Sequence, residues 1–415
     1  MSAGEVTETL AIVLAAGLAC EAVAGILRLP RMVVLLAAGA LLGPHALDAV
    51  DLPLDSVGVQ LLFTLGASFI LFYGGLGLSL RILRPVAAGL ALLAVPGVVL
   101  TALVTGGVAA LAFDVSLTAG FLIGAVLAPT DPAILIPLFE RLRVRPKLSQ
   151  TIVAESALND VTGAVLALAL AGFVVEGKAS LTGPLREFAV DLLISTGIGV
   201  ATGVLLAAVI SQGRFGIWRE SPVIAALFVV AAGYFTIDSA GGSGYLGAFA
   251  AGLIVSNMDV LRLGMHSERE RELRNFASAV TDVVVVFIFV TLGANLPFDR
   301  FSEYAAPALL TIVALIALAR PLTVLLCLRA DRRGRWERNE LVFLSWTRET
   351  GVVPAALVGV LVGEGVQYEA ELVTVVAFAI IVTLAAQTTT KALLARRLEL
   401  DEGEPLGEAA QAPGA

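Results

Sequence analysis

Apolar residues run through this chain in long blocks, cut at short intervals by Arg, Asp, Gly and Pro. Thirteen blocks stand out, at 8–27, 31–43, 57–79, 85–112, 116–139, 150–174, 187–211, 220–237, 243–257, 275–296, 304–328, 339–362 and 370–395. A helix needs about 20 apolar residues to cross the hydrocarbon layer. Backbone groups have no water to bond there, so runs of this length must satisfy their amides internally, as helix. The alternating pattern of barrel strands is not seen. The expected fold is therefore all-α and polytopic, with about 13 transmembrane helices.

Charge orients those helices. Of the 27 basic residues, 22 fall on alternate loops and after the last block, among them Arg141, Arg143, Arg145 and Lys147, then Arg329 to Arg338, then Lys391, Arg396 and Arg397. The opposite loops hold Lys178, Arg186 and Arg300, and Arg320 and Arg348 sit inside spans. By the positive-inside rule the N-terminus is outside and the C-terminus cytoplasmic, in a cell-membrane protein. The first ten residues carry acids and no basic segment, so no cleaved signal peptide is read. Residues 1–396 form the transmembrane domain and 397–415 a short acidic cytoplasmic tail, expected to be disordered. Cys20 and Cys327 lie far apart in apolar blocks and suggest buried thiols, with no disulfide. Neither a cofactor motif nor a nucleic-acid-binding pattern is present in the sequence.

An overall composition of 58% hydrophobic and 15% charged residues makes each polar group inside a span conspicuous. In "LAPTDPAI", Pro129 and Pro132 bracket Thr130 and Asp131 and should break the fifth helix. In "LVFLSWTRETGVVPAALVGV", Arg348 and Glu349 are followed by Gly351 and Pro354, a second interruption. Two interrupted helices in matching places of two halves point to an inverted repeat with its site at the midplane. Between them, "ESALNDVTG" puts Glu155 and Asn159 on one helical face and Ser156 and Asp160 on the neighbouring one. The expectation is that Glu155 pairs with Arg348 and that Asp160, beside the first break, binds an ion. Arg320, near the inner end of its span, either snorkels or meets a cytoplasmic-side acid. Carboxylate, hydroxyl and backbone oxygens suit a hard alkali cation; the two histidines, His45 and His266, lie in loops.

Taken in order, "GAVLAPTDPAI", "ESALNDVTG", "GSGYLGAFAAGLIVSN" and "SWTRETGVVPAAL" resemble the monovalent cation/proton antiporter superfamily, in its sodium/proton exchanger branch with an Asn-Asp pair. The resemblance implies the NhaA-type antiporter fold, with two broken crossing helices, in a homodimer. It implies cation and proton binding at Asp160, a cation site completed by Asp131, Thr130 and Ser156, and a supporting polar cluster of Glu155, Asn159 and Arg348. Arg320 matches a basic residue that members also carry. Tyr73 departs from the pattern, since "FYGGL" stands where many relatives have a carboxylate.

The function expected is exchange of Na+, K+ or Li+ for H+ by alternating access, and the resemblance implies that it is electroneutral, since Asn159 stands where the electrogenic branch has a second aspartate. A sodium-coupled symporter of an organic solute is the alternative of the same fold. An intramembrane enzyme lacks a histidine within any span, and a channel would not call for two broken helices.

Overall fold

A computed structural model of the chain describes residues 3–131, 144–176 and 182–400. Pro132, the end of the fifth block, Arg141, Arg143, Lys178 and residues 401–415 lie outside the described residues. Among the described residues nine helices are long and apolar enough to cross a bilayer. They are α1 (Ala3–Leu27), α3 (Val57–Leu76), α4 (Ala87–Ala112), α6 (Pro146–Val175), α7 (Thr182–Ile210), α8 (Pro222–Ser239), α10 (Ser267–Ala294), α11 (Phe298–Ala330) and α14 (Glu369–Arg397). Shorter helices are α2 (Arg31–Leu42), α5 (Leu117–Leu127), α9 (Gly244–Ser256), α12 (Arg338–Trp346) and α13 (Val352–Gly363).

Local chemistry accounts for the irregularities. α4 pauses at Val95 and resumes with Pro96 in its first turn, where a missing N–H leaves no bond unmade. α11 opens into a wide π turn at Leu315–Ala319, directly before Arg320. Such a turn rotates the side chains on its C-terminal side about the helix axis. Here Arg320 ends up 4% exposed, facing other helices instead of snorkelling.

The helices pack as two groups. In one, α4 lies on α5, α5 on α6, and α11 on both α12 and α14. In the other, α3 and α7 pack on α9, and α2 on α10. α13 meets both α3 and α10, which joins the groups. Burial is inverted relative to a water-soluble domain: Leu18 and Ile26 of α1, Leu193 of α7 and Phe235 of α8 are between 72% and 80% exposed. An outward face of this kind is stable in hydrocarbon, not in water. Cys20 and Cys327 are buried free thiols, as expected.

At the end where α6 and α12 begin, charges join the two helices. Arg145 Nη1 lies 2.9 Å from Glu337 Oε2 and Lys147 Nζ 2.7 Å from Glu340 Oε2. Glu340 also accepts from the Glu337 amide, closing a capping box on α12. The stretch of chain past α14 joins in: the Arg145 amide donates to Leu400 O, Asn339 Nδ2 donates to Leu398 O, and Leu400 is buried.

Candidate functional site

The first break comes after α5. Regular helix ends at Leu127, Ala128 keeps helical backbone angles as its cap, and residues 129–131 leave the helix where Pro129 offers no N–H. The second lies at 347–351, between α12 and α13. The two irregular segments touch: the Asp131 amide donates to Glu349 O at 3.0 Å. They touch so closely that a Cβ on Gly351 would meet Asp131 Oδ2 at 2.1 Å, so this contact requires glycine.

α6 supplies the third wall. Ser156 Oγ donates to Thr130 O at 2.6 Å. Asn159 grips Thr130 from both sides, its Oδ1 accepting the Thr130 amide at 3.1 Å and its Nδ2 donating to Thr130 Oγ1 at 2.8 Å. One helical turn beyond Asp160, Gly163 lies against Pro129, where a Cβ would stand 2.6 Å from Cγ. The helix therefore approaches the break on this side. Asp160 Oδ1 is buried there without a hydrogen-bond partner. The charged groups acting on it are Asp131 and Arg348. An unpaired buried carboxylate oxygen is costly and marks a place where a proton or cation completes the structure.

Two expectations about this cluster are overturned. Glu155 does not pair with Arg348. Both of its oxygens accept from Arg320, through Nη1 and, at 3.0 Å, Nη2, and the Arg320 Nε donates to Leu344 O at 2.9 Å. Arg348 instead donates to the carbonyls of Leu127 and Pro129, the latter at 3.1 Å. These acceptors exist because α5 stops: its terminal carbonyls have no amide ahead of them and carry the negative end of the helix dipole. Nor does Asn159 face an arginine. It shares the Thr130 backbone with Ser156, so both candidate faces of α6 converge on the first break.

One buried cation went unseen. Lys391, grouped by its sequence position with the cytoplasmic residues after the last span, is fully buried within α14 and ion-paired with Glu349. It belongs to a polar stripe at four-residue spacing. Gln387 Oε1 accepts the Arg348 amide at 2.8 Å and Thr383 Oγ1 accepts the Thr350 amide at 3.0 Å. The signal was present in the sequence: Thr383, Gln387 and Lys391 fall on one face of an otherwise apolar helix.

Thr130, Asp131, Ile152, Glu155, Ser156, Arg320, Thr347 and Glu349 line a cavity of about 10 Å³, and Asp160 is not among these lining residues. As the volume open to the centre of a water-sized sphere, that is room for roughly one water or a bare small ion. Oxygen donors of this kind suit alkali cations better than soft metals. Tyr73 is not part of this centre; it packs with Phe69, Phe72 and Leu206 in a separate cluster of α3 and α7 to α10.

Comparison with known proteins adds four likenesses. The family described as sodium/hydrogen exchanger, transmembrane, matches residues 10–396. Na(+)/H(+) antiporter 1 of Methanocaldococcus jannaschii is 28% identical over 340 residues, covering 80% of this chain and 77% of that protein. The K(+)/H(+) antiporter NhaP of Alkalimonas amylolytica is 27% identical over 336 residues, 79% of this chain and 55% of its own. The solved structure of the sodium proton antiporter MjNhaP1 from Methanocaldococcus jannaschii at pH 8 superposes with a TM-score of 0.81 at 25% identity, covering 95% of this chain and 99% of that one.

Proposed function

The chain belongs to the transmembrane sodium/hydrogen exchanger family, and from that membership we propose that it exchanges one monovalent cation, Na+ or K+, for one proton across the cell membrane, with Asp160 as the shared binding group. The observation that carries this reading is the buried, unpartnered Oδ1 of Asp160 beside two interrupted helices. Ser156, Thr130 and Asp131 complete the cation's oxygen shell in this proposal. Asn159 holds Thr130 in place, Glu155 with Arg320 fixes α6 to α11, and Arg348 caps α5.

A charge count supports one-for-one exchange. Among the described residues, with all groups ionised, Asp131, Glu155, Asp160 and Glu349 oppose Arg320, Arg348 and Lys391, leaving one negative charge in excess. One proton or one alkali cation makes the centre neutral, and only a neutral centre crosses an apolar barrier cheaply. Alternation of the site between the two sides then gives exchange instead of leak. A solute symporter finds no support: the relatives from Methanocaldococcus jannaschii and Alkalimonas amylolytica are cation/proton antiporters, and a cavity of about 10 Å³ is far below what an organic ligand fills.

The thirteen-span reading counts the nine long helices, α2 and α9, and two broken spans built on α5 and on α12 with α13. Packing supports an inverted repeat of spans one to six and eight to thirteen, because the contact of span three (α3) with span nine (α9) has its counterpart in that of span ten (α10) with span two (α2). We further propose an NhaA-type arrangement and a homodimer in the cell membrane, the N-terminus outside and the C-terminus cytoplasmic.

Proteoliposomes carrying a pH dye test the central claim. Added Na+ or K+ should collapse an imposed proton gradient at a rate insensitive to membrane potential, and Asp160→Asn should abolish the response. Retained exchange in that variant removes Asp160 from its role.

A further inference from the structure

The Lys391–Glu349 pair is not accounted for by stability. Its side chains are 0% and 1% exposed. Taking two charges out of water costs about as much as their attraction returns, and apolar residues of similar volume would hold α14 to the break at least as well. The attachment is in any case made twice more, by Thr383 and Gln387. What an apolar pair could not supply is charge at this place. Glu349 lines the same small cavity as Asp131, Thr130 and Ser156, and its carbonyl receives the Asp131 amide.

We propose that Lys391 is a positioning and charge-setting residue of the cation site: by cancelling Glu349 it holds the centre at a single negative charge and so sets how tightly a cation is held. The groups facing this pair and the site are Asp131 from the first break, Glu155 and Asp160 from α6, Arg320 from α11 and Arg348 from the second break. Glu155 and Arg320 cancel each other by direct contact. Arg348 offsets one of Asp131 and Asp160. Unopposed, Glu349 would add a second negative charge to the cavity wall, and the cation would bind tightly and leave slowly. Unopposed and still protonated, Lys391 would repel it. The inference rests on the exchange reading.

The test measures apparent KM and Vmax for Na+ and for K+ in proteoliposomes of the full chain, at an alkaline pH where protons compete least. Lys391→Met should lower KM by about thirtyfold or more, the effect of one uncompensated charge within about 8 Å at an effective dielectric of ~20. Glu349→Gln leaves a fully buried ammonium without its counter-charge, and such a group gives up its proton, so KM should stay within about threefold of wild type. The double variant Glu349→Gln with Lys391→Met should do the same, since its centre again carries one negative charge. Glu349→Gln with Lys391→Arg, whose guanidinium keeps its charge, should raise KM. Opposite shifts in Lys391→Met and in this last variant are what a merely structural pair cannot produce. Should Lys391→Met fail to fold, the comparison is between Glu349→Gln alone and Glu349→Gln with Lys391→Arg, in which the latter must show the higher KM. Variants that lose Vmax with KM unchanged, or whose KM moves in one direction only, overturn the proposal while leaving the exchange reading intact. A wild-type protein that exchanges neither Na+ nor K+ for protons overturns both.

Discussion

Arg348 and Arg320 divide their work by kind of acceptor. Arg348 binds the backbone carbonyls of an interrupted helix, and Arg320 binds the Glu155 carboxylate in a fork that only a planar guanidinium matches. Glu155→Gln leaves Arg320 buried without its counter-charge and should cost about 3–5 kcal/mol of stability. A double-mutant cycle assigns the partner. Glu155→Gln combined with Arg320→Met should fall well short of the summed single losses, whereas Glu155→Gln with Arg348→Met should be nearly additive in chemical unfolding of the purified protein. The sequence could not separate the two arginines, because it shows which charges lie within spans but not how many carbonyls a broken helix leaves free. The same blindness put Asn159 on the wrong face: helical spacing ranks directions about one axis, and the crossing segment spans more than one of them.

Among elements, those fixed by length and by proline were the legible ones. The long apolar runs became helices close to their expected limits, and Pro129 and Gly351 mark the two interruptions. The stop at Val95 and the π turn before Arg320 were not anticipated, since an apolar run reads the same whether its helix is regular or not. α14 was recognised as a helix while its polar face was overlooked, because Lys391 near the end of a span looks like a snorkelling residue. At the opposite end of the broken span, α12 depends on Glu340, which is 2% exposed, caps its first turn and receives Lys147 of α6. Glu340→Ala removes both functions. It should lower stability by about 1–3 kcal/mol, and protease should cut first near residues 331–340 if the α6–α12 joint is what loosens.

At the scale of the whole molecule, the ends of α8 and α13 lie near enough for their carboxylates to act on each other. The Glu364 carboxyl, at the C-cap of α13, is held above its ordinary range, first by lost hydration and then by nearby Asp238 on α8. A carboxyl whose folded-state pKa is raised favours the folded protein at low pH, and that contribution disappears as pH rises through the raised value. Glu364→Gln should therefore match wild type in melting temperature near about pH 4 and exceed it near about pH 8; equal curves at both ends would refute the assignment. The chain just past α14 has a reach of a different kind. Residues 398–400 tie the starts of α6 and α12 together, and the helix they extend holds the second break through Thr383, Gln387 and Lys391. α14 thus works as a crank with one arm at the starts of α6 and α12 and the other at the second break. A load on residues 398–400 would be felt at that break without any signal crossing the rest of the bundle.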